Sequence, residues 1–240
     1  MMEWIPDHLR VYLVVGGLLL LLLLVASLIH KYEQYQASRR LAVQRILSVT
    51  RSIESALEGT RGVGLPPGLG KLLRNELLAR YFTVHQIYPR YPGINPLVAQ
   101  AEERARSEPE GQATPNSTAV TSQEVLNRYV AGSNEILRLL HGNLLAPGLG
   151  REARAVHQVK LVEFQLLAAH QFHSRHALEM AGKGEWYKAQ RAIRALESFI
   201  HSRPGATPQT ARLRAEARQM MQALSEQRIP NQPAAGHAVS

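Results

Sequence analysis

An uninterrupted apolar segment near the N-terminus is the strongest pattern in the chain. The segment from Val11 to Ile29 contains no charged side chain over 19 positions, and Leu18 to Leu24 are seven consecutive leucines. As a helix this segment rises about 28 Å, close to the roughly 30 Å hydrocarbon core of a bilayer. We therefore predict a transmembrane helix over residues 9–30, with Val11, Leu18, Leu24 and Ile29 inside the membrane.

A cleaved signal peptide is the alternative interpretation of this segment. Signal peptides begin with a basic region and end at a cleavage site made of small residues. The short tail over residues 1–8 instead contains Glu3 and Asp7, and no Ala-x-Ala sequence follows the leucines. We therefore expect an anchor that stays attached to the chain.

The distribution of basic residues predicts the orientation of this helix. Four of them follow it within 20 residues: Lys31, Arg39, Arg40 and Arg45. Only Arg10 precedes it, so the positive-inside rule places the tail outside and residues 31–240 in the cytoplasm, at an inner or plasma membrane. We expect the four basic side chains to contact anionic lipid headgroups.

After the span, apolar positions recur with the period of a helix. One stripe is spaced alternately by four and three residues: Ala42, Ile46, Val49, Ile53 and Ala56. Such spacing places side chains on one face of a helix. Because residues 30–58 contain no Gly or Pro, we predict that this helix continues from the membrane span without a break.

Segments rich in Gly and Pro divide the rest of the chain. The segments 59–70 and 143–150 are predicted helix breaks, and the polar segment 108–121 is a predicted linker. No stretch alternates as a strand would. We therefore predict an all-α protein with helical region 1 over 31–107, helical region 2 over 122–228 and a loose tail over 229–240.

Two interpretations of these helices remain open: a bundle, or a repeat of helical hairpins that arose by duplication. The sequence from Pro67 to Gly70 recurs from Pro147 to Gly150, and other short matches follow in the same order. A growing offset between the matches requires insertions. Helix-breaking turns of similar composition would explain them without duplication.

One segment resembles part of a tetratricopeptide helix pair. It reads Gly184-Glu185-Trp186-Tyr187-Lys188-Ala189, with Ala192 and Pro204 following. In that family Gly-x-aromatic-x-x-Ala marks the turn into a second helix, and a Pro ends the unit. The resemblance covers roughly 34 residues and implies a helix–turn–helix there. The preceding helix lacks the Trp and Leu-Gly positions of the family.

The residue inventory disfavours catalysis. The absence of Cys excludes disulfides, thiol chemistry and Cys-ligated metal, and Asp7 is the only Asp in the chain. The segment from Gly64 to Lys71 fails as a phosphate-binding loop, because five residues separate the outer glycines and Leu72 follows the Lys. We expect no enzyme activity and no cofactor.

A group of histidines is the one alternative that would carry chemistry. His157, His170, His173 and His176 lie on one predicted helix with Glu163 and Glu179. Glu163, His170 and His173 are the candidate metal ligands of a metal-binding bundle or enzyme. Because six residues turn a helix by about 600°, His170 and His176 point apart. We expect histidines that are solvated or hydrogen-bonded on a polar face.

The net charge of +9 raises the question of nucleic acid, which we expect not to be a partner. The best candidate for a basic stripe consists of Arg39, Arg40, Arg45 and Arg51, which are predicted to lie next to the bilayer. A second group, Arg191 to Arg218, alternates with Glu197 and Glu216, which indicates a solvated face. The expected partners are the lipid bilayer, an unidentified protein and a second copy of the chain. The predicted function is a membrane-anchored scaffold, with a tethered nucleic-acid binder as a further alternative.

Overall fold

A computed structural model describes residues 7–107, 113–116, 118–145, 148–203 and 207–228. These residues form helices with no strand, which confirms the all-α prediction. The helices are α1 (Asp7–Thr60), α2 (Leu69–Ile87), α3 (Ile94–Ser107), α4 (Gln123–His141), α5 (Arg151–Gly182), α6 (Trp186–His201) and α7 (Pro208–Ser225).

Helix α1 is continuous from the apolar segment into the packed part of the molecule, as predicted. Its stretch from Gly16 onward is long and apolar enough to cross a membrane, with a mean hydropathy of 1.5 in its most apolar window. The buried face near its C-terminus comprises Val43, Leu47, Thr50, Ile53, Ala56 and Thr60. Ala42, Ile46 and Val49 of the predicted stripe are only half-buried. Over this part of α1 the buried face is therefore displaced by one residue from the prediction, to Val43, Leu47 and Thr50.

Helices α2 and α4 pack against the C-terminal part of α1, and α3 packs against α2. Helix α2 runs back along α1, because the Tyr81 hydroxyl donates to Glu54 Oε1 at 2.7 Å. Residues of these four helices form one hydrophobic cluster with Leu65 before α2, Leu145 after α4 and Leu161 of α5, and we name this cluster the first core. The first core combines Leu47 and Leu73 with Ile136 and Leu161, so the packing crosses the predicted linker.

Helices α1 and α4 meet at two glycines. A Cβ atom built on Gly132 would lie 2.9 Å from the carbonyl oxygen of Ala56 and 3.1 Å from Gly59 Cα. The two backbones are therefore in direct contact, and no side chain fits between them. This crossing joins predicted region 1 to predicted region 2.

Helices α5, α6 and α7 form the second core with the N-terminal half of α4. The last helix begins at a side-chain cap: Thr207 Oγ1 accepts from Thr210 N at 3.2 Å, and Pro208 is the first helical residue. The turn that the tetratricopeptide resemblance implies is present at Gly184, whose φ is 74°.

The two Pro-Gly-Leu-Gly turns differ in local structure. Gly68 precedes α2 with φ 80°, so that the helix begins inside the motif at Leu69. Gly150 precedes α5 with φ −58°, and that helix begins after the motif at Arg151. Duplication of the two halves stays a prediction.

Candidate functional site

The apolar part of α1 makes no contact that would bury it in the described chain. The leucines from Leu18 to Leu24 are between 55% and 69% exposed, and Ile29 is 54% exposed. Of the predicted membrane residues, Leu18, Leu24 and Ile29 thus lie on an exposed helix, whereas the side chain of Val11 lies outside the described residues. Exposed leucines over several turns are unfavourable in water and favourable in lipid.

The predicted headgroup contacts lie along the next turns of α1. Lys31, Arg40 and Arg45 are exposed, and the Arg39 guanidinium stacks on the Tyr35 ring at 4.6 Å. At 1.5 Å per residue along the helix axis, Lys31 lies roughly 3 Å beyond Ile29, Arg39 roughly 15 Å, Arg40 roughly 16 Å and Arg45 roughly 24 Å. A headgroup layer is only about 5–8 Å thick. For a helix along the bilayer normal, Lys31 lies in that layer and Arg45 lies beyond it.

The basic residues of α1 do not form the continuous stripe that nucleic acid prefers. At about 100° of helical rotation per residue, Arg40 and Arg51 point to nearly the same side of α1, whereas Arg39 and Arg45 point to two other sides. Tyr32 and Tyr35, which are 64% and 54% exposed, lie with Arg39 and Arg40 on the solvated stalk of α1 between the apolar segment and Val43, whereas Arg45 and Arg51 lie beyond that stalk.

The histidines of α5 are placed differently from the prediction. His170 and His173 are 4% and 7% exposed, so the expectation of a polar, solvated face is wrong for both. His170 faces α7, where Glu216 lies against it. His176 is exposed and stacks on the Phe172 ring with centroids 6.1 Å apart, and His157 is half-buried.

The acidic neighbour of His170 comes from another helix. Its Nε2 atom lies 3.4 Å from Glu216 Oε2 on α7, and Glu216 also accepts from Arg212 Nε at 2.9 Å. Burial lowers the pKa of His170, Glu216 opposes that shift, and Arg212 reinforces it. The sequence separates these residues by more than 40 positions, so spacing along one helix could not identify the pair.

Burial is also the largest cause of the pKa shift of His173, the second buried imidazole. Burial, together with the neighbouring His176 and His170, lowers the pKa of His173 to about 4. Both imidazoles of the buried pair are therefore neutral at pH 7. A neutral buried His acts as a packing and hydrogen-bonding group rather than as a charge.

No group of three His, Asp or Glu side chains in the described residues is arranged to hold a metal ion. Glu163 is half-buried two turns before His170, and the nearby acid of His170 is Glu216. The geometry therefore does not support the candidate ligand set Glu163, His170 and His173 at one ion.

The structure contains a polar network between α4 and α5 that was not predicted from the sequence. Gln165 is fully buried, and its Nε2 donates to Asn134 Oδ1 at 3.1 Å. The same oxygen accepts from Arg203 Nη1 at 2.9 Å. The signal in the sequence was a single Gln inside the apolar run from Phe164 to Ala169, where a polar side chain needs a partner.

We expect Asn134→Ala to lower the free energy of unfolding by about 1–2 kcal/mol, because it leaves the buried amide of Gln165 without its acceptor. Denaturant unfolding followed by circular dichroism measures the change. Asn127→Ala is the matched control, since Asn127 makes an exposed bond to Gln123 on the same helix. Equal effects of the two substitutions would contradict the assigned role of Asn134.

No family model, curated protein or solved structure matches this chain.

Proposed function

We propose that the protein is a membrane-anchored cytoplasmic scaffold without catalytic activity. One observation carries the proposal: a single helix is exposed and apolar from Gly16 to Ile29 and buried in the first core from Val43 onward. The helix that joins the anchor to the packed helices, which we call the body, has no catalytic role of its own. Because it is unbroken, it holds the body at a defined distance from the bilayer. The stalk between them covers about 20 Å at 1.5 Å per residue.

The inventory of the body supports binding rather than turnover. Its two buried histidines, His170 and His173, are neutral at pH 7, and the Glu216 carboxylate beside His170 also binds Arg212. The surface instead offers the faces of several helices, which are the elements that protein partners recognise. The partners of this proposal are the bilayer and a cytoplasmic protein, with self-association as a further mode.

The orientation is testable because the chain has no Cys of its own. In intact cells we expect Glu3→Cys to react with a membrane-impermeant maleimide and Ser38→Cys to react only after lysis. Both variants should stay in the membrane fraction after an alkaline carbonate wash. Release by that wash would remove the anchor, and the reverse labelling pattern would remove the cytoplasmic assignment.

A further inference from the structure

Helices α6 and α7 form an antiparallel pair at one end of the body. Gln190 Nε2 on α6 donates to the carbonyl oxygen of Leu224, near the end of α7, at 3.3 Å. The second core, to which the pair belongs, also contains Val63, three residues after α1 ends. Since Thr60 lies roughly 46 Å along α1 from Ile29, the pair lies at the end of the body remote from the apolar segment.

This pair concentrates positive charge. Residues 186–225 contain seven Lys and Arg against two Glu. Five of these cations are exposed and form what we name the basic face: Lys188, Arg191, Arg194, Arg212 and Arg218. Glu216 pairs with Arg212 and also lies against His170, and Glu197 is half-buried, so within the described chain these two acids balance only Arg212 in the group.

Three cations of the basic face have no carboxylate within ion-pair distance in the described chain. They are Arg191, Arg194 and Arg218, whereas Lys188 pairs with Glu185 at 3.0 Å and Arg212 with Glu216 at 2.9 Å. Uncompensated guanidinium groups on neighbouring helices attract anions, and they bind carboxylates with two parallel hydrogen bonds.

Small side chains lie among these arginines. The exposed positions of the same helices include Ala195, Ser198, Ala211 and Ala215. A surface of methyl groups bordered by guanidinium groups allows a helix to approach closely and to bring carboxylates onto the arginines. A phosphodiester backbone makes no use of the methyl groups, and lipid headgroups lie too far away. These features favour an acidic helix over both other anions.

We propose that the basic face of α6 and α7 is the docking site for an acidic, amphipathic helical segment of a cytoplasmic protein. The proposal rests on the proposed scaffold function, for which it names the recruiting surface and the chemistry of the partner. Arg191, Arg194 and Arg218 bind carboxylates of the segment, and its apolar side packs on the alanines.

The test uses the full chain in nanodiscs of phosphatidylcholine. The probe is a fluorescent amphipathic peptide built of Glu, Ala and Leu, and binding is measured by fluorescence anisotropy. We expect the triple substitution R191Q, R194Q and R218Q to weaken binding at least about tenfold, with an affinity that falls as salt rises. The control removes the same charge from three other exposed arginines, R51Q, R104Q and R151Q, and should weaken binding less than twofold.

Three results would overturn the proposal: no binding of the peptide, equal loss in the two triple variants, or equal binding of a scrambled peptide that cannot form an acidic amphipathic helix. Tighter binding of duplex DNA, lost only in the first triple variant, would reassign the face to nucleic acid. Insertion into the nanodiscs is scored separately, so failure of the anchor is distinguishable from failure of the docking site.

Discussion

Alanine at position 132 is expected to destabilise the protein by about 2 kcal/mol, although Ala is the better helix former. In the middle of an exposed helix, Gly→Ala stabilises by about 1 kcal/mol. At the crossing of α1 and α4, the new methyl group would lie 2.9 Å from the carbonyl oxygen of Ala56 and 3.1 Å from Gly59 Cα. Both atoms belong to the backbone, so the helices must separate. Separation exposes the surrounding first core and outweighs the gain in helix propensity.

The sign of the effect makes this prediction sharp. Denaturant unfolding of the full chain in detergent, followed by circular dichroism at the helix band, measures it. Gly182→Ala is the matched control, because Gly182 ends α5 and a Cβ there meets nothing within 4 Å. We expect the control to leave stability unchanged or to raise it slightly. A rise in stability for Gly132→Ala would show that the helices do not meet at these glycines.

Acidification is expected to weaken the second core by about 3 kcal/mol through His173 alone. Its pKa in the folded protein is about 4, below the ordinary value of 6.5. Since the unfolded chain binds the proton more tightly, the contribution of His173 is complete above about pH 6.5 and is lost as the pH falls toward 4. A shift of about 2.5 units corresponds to roughly 3 kcal/mol.

The comparison that isolates this effect is between pH 7.5 and pH 4.5. The titratable groups near His173 are His176 and His170 on α5, and Glu216 and Arg212 on α7 lie near His170. We expect His173→Leu to be less sensitive to pH over this interval than the natural chain by about 2–3 kcal/mol. His201→Gln, at an exposed position on α6, should preserve the natural slope. An unchanged slope in the His173 variant would mean that this imidazole is not buried in the folded protein.

Helix ends were predictable because their causes are local. Thr207 and Pro208 start α7 through a side-chain hydrogen bond and a fixed φ, and both effects involve residues within three positions. The buried face of α1 was less certain. Apolar residues occur in adjacent pairs such as Ala42-Val43 and Ile46-Leu47, so two neighbouring stripes fit the same helical period. The docking of α2 and α4 selects the stripe that contains Val43 and Leu47.

The candidate sites depended on contacts between distant parts of the chain. Sequence spacing joined His170 to Glu163, whereas packing of α7 on α5 brings Glu216 to His170. Similarly, Glu197 and Glu216 alternate in sequence with the arginines, but Glu216 pairs with Arg212 and approaches His170, and no described carboxylate lies within ion-pair distance of Arg191, Arg194 or Arg218. Alternation along a chain describes charge balance on a surface only if all the residues face that surface.

By itself, the sequence determined that the chain is helical, where most helices begin and end, and that one helix is apolar enough to cross a membrane. These properties follow from local propensity, capping and the composition of single segments. Only the tertiary structure decided that α1 and α4 meet at Gly59 and Gly132, that His170 and His173 are buried, and that Arg191, Arg194 and Arg218 lie beyond ion-pair distance of every described carboxylate. Those features depend on which helices pack together, and packing is set by the shapes of whole faces rather than by neighbours along the chain.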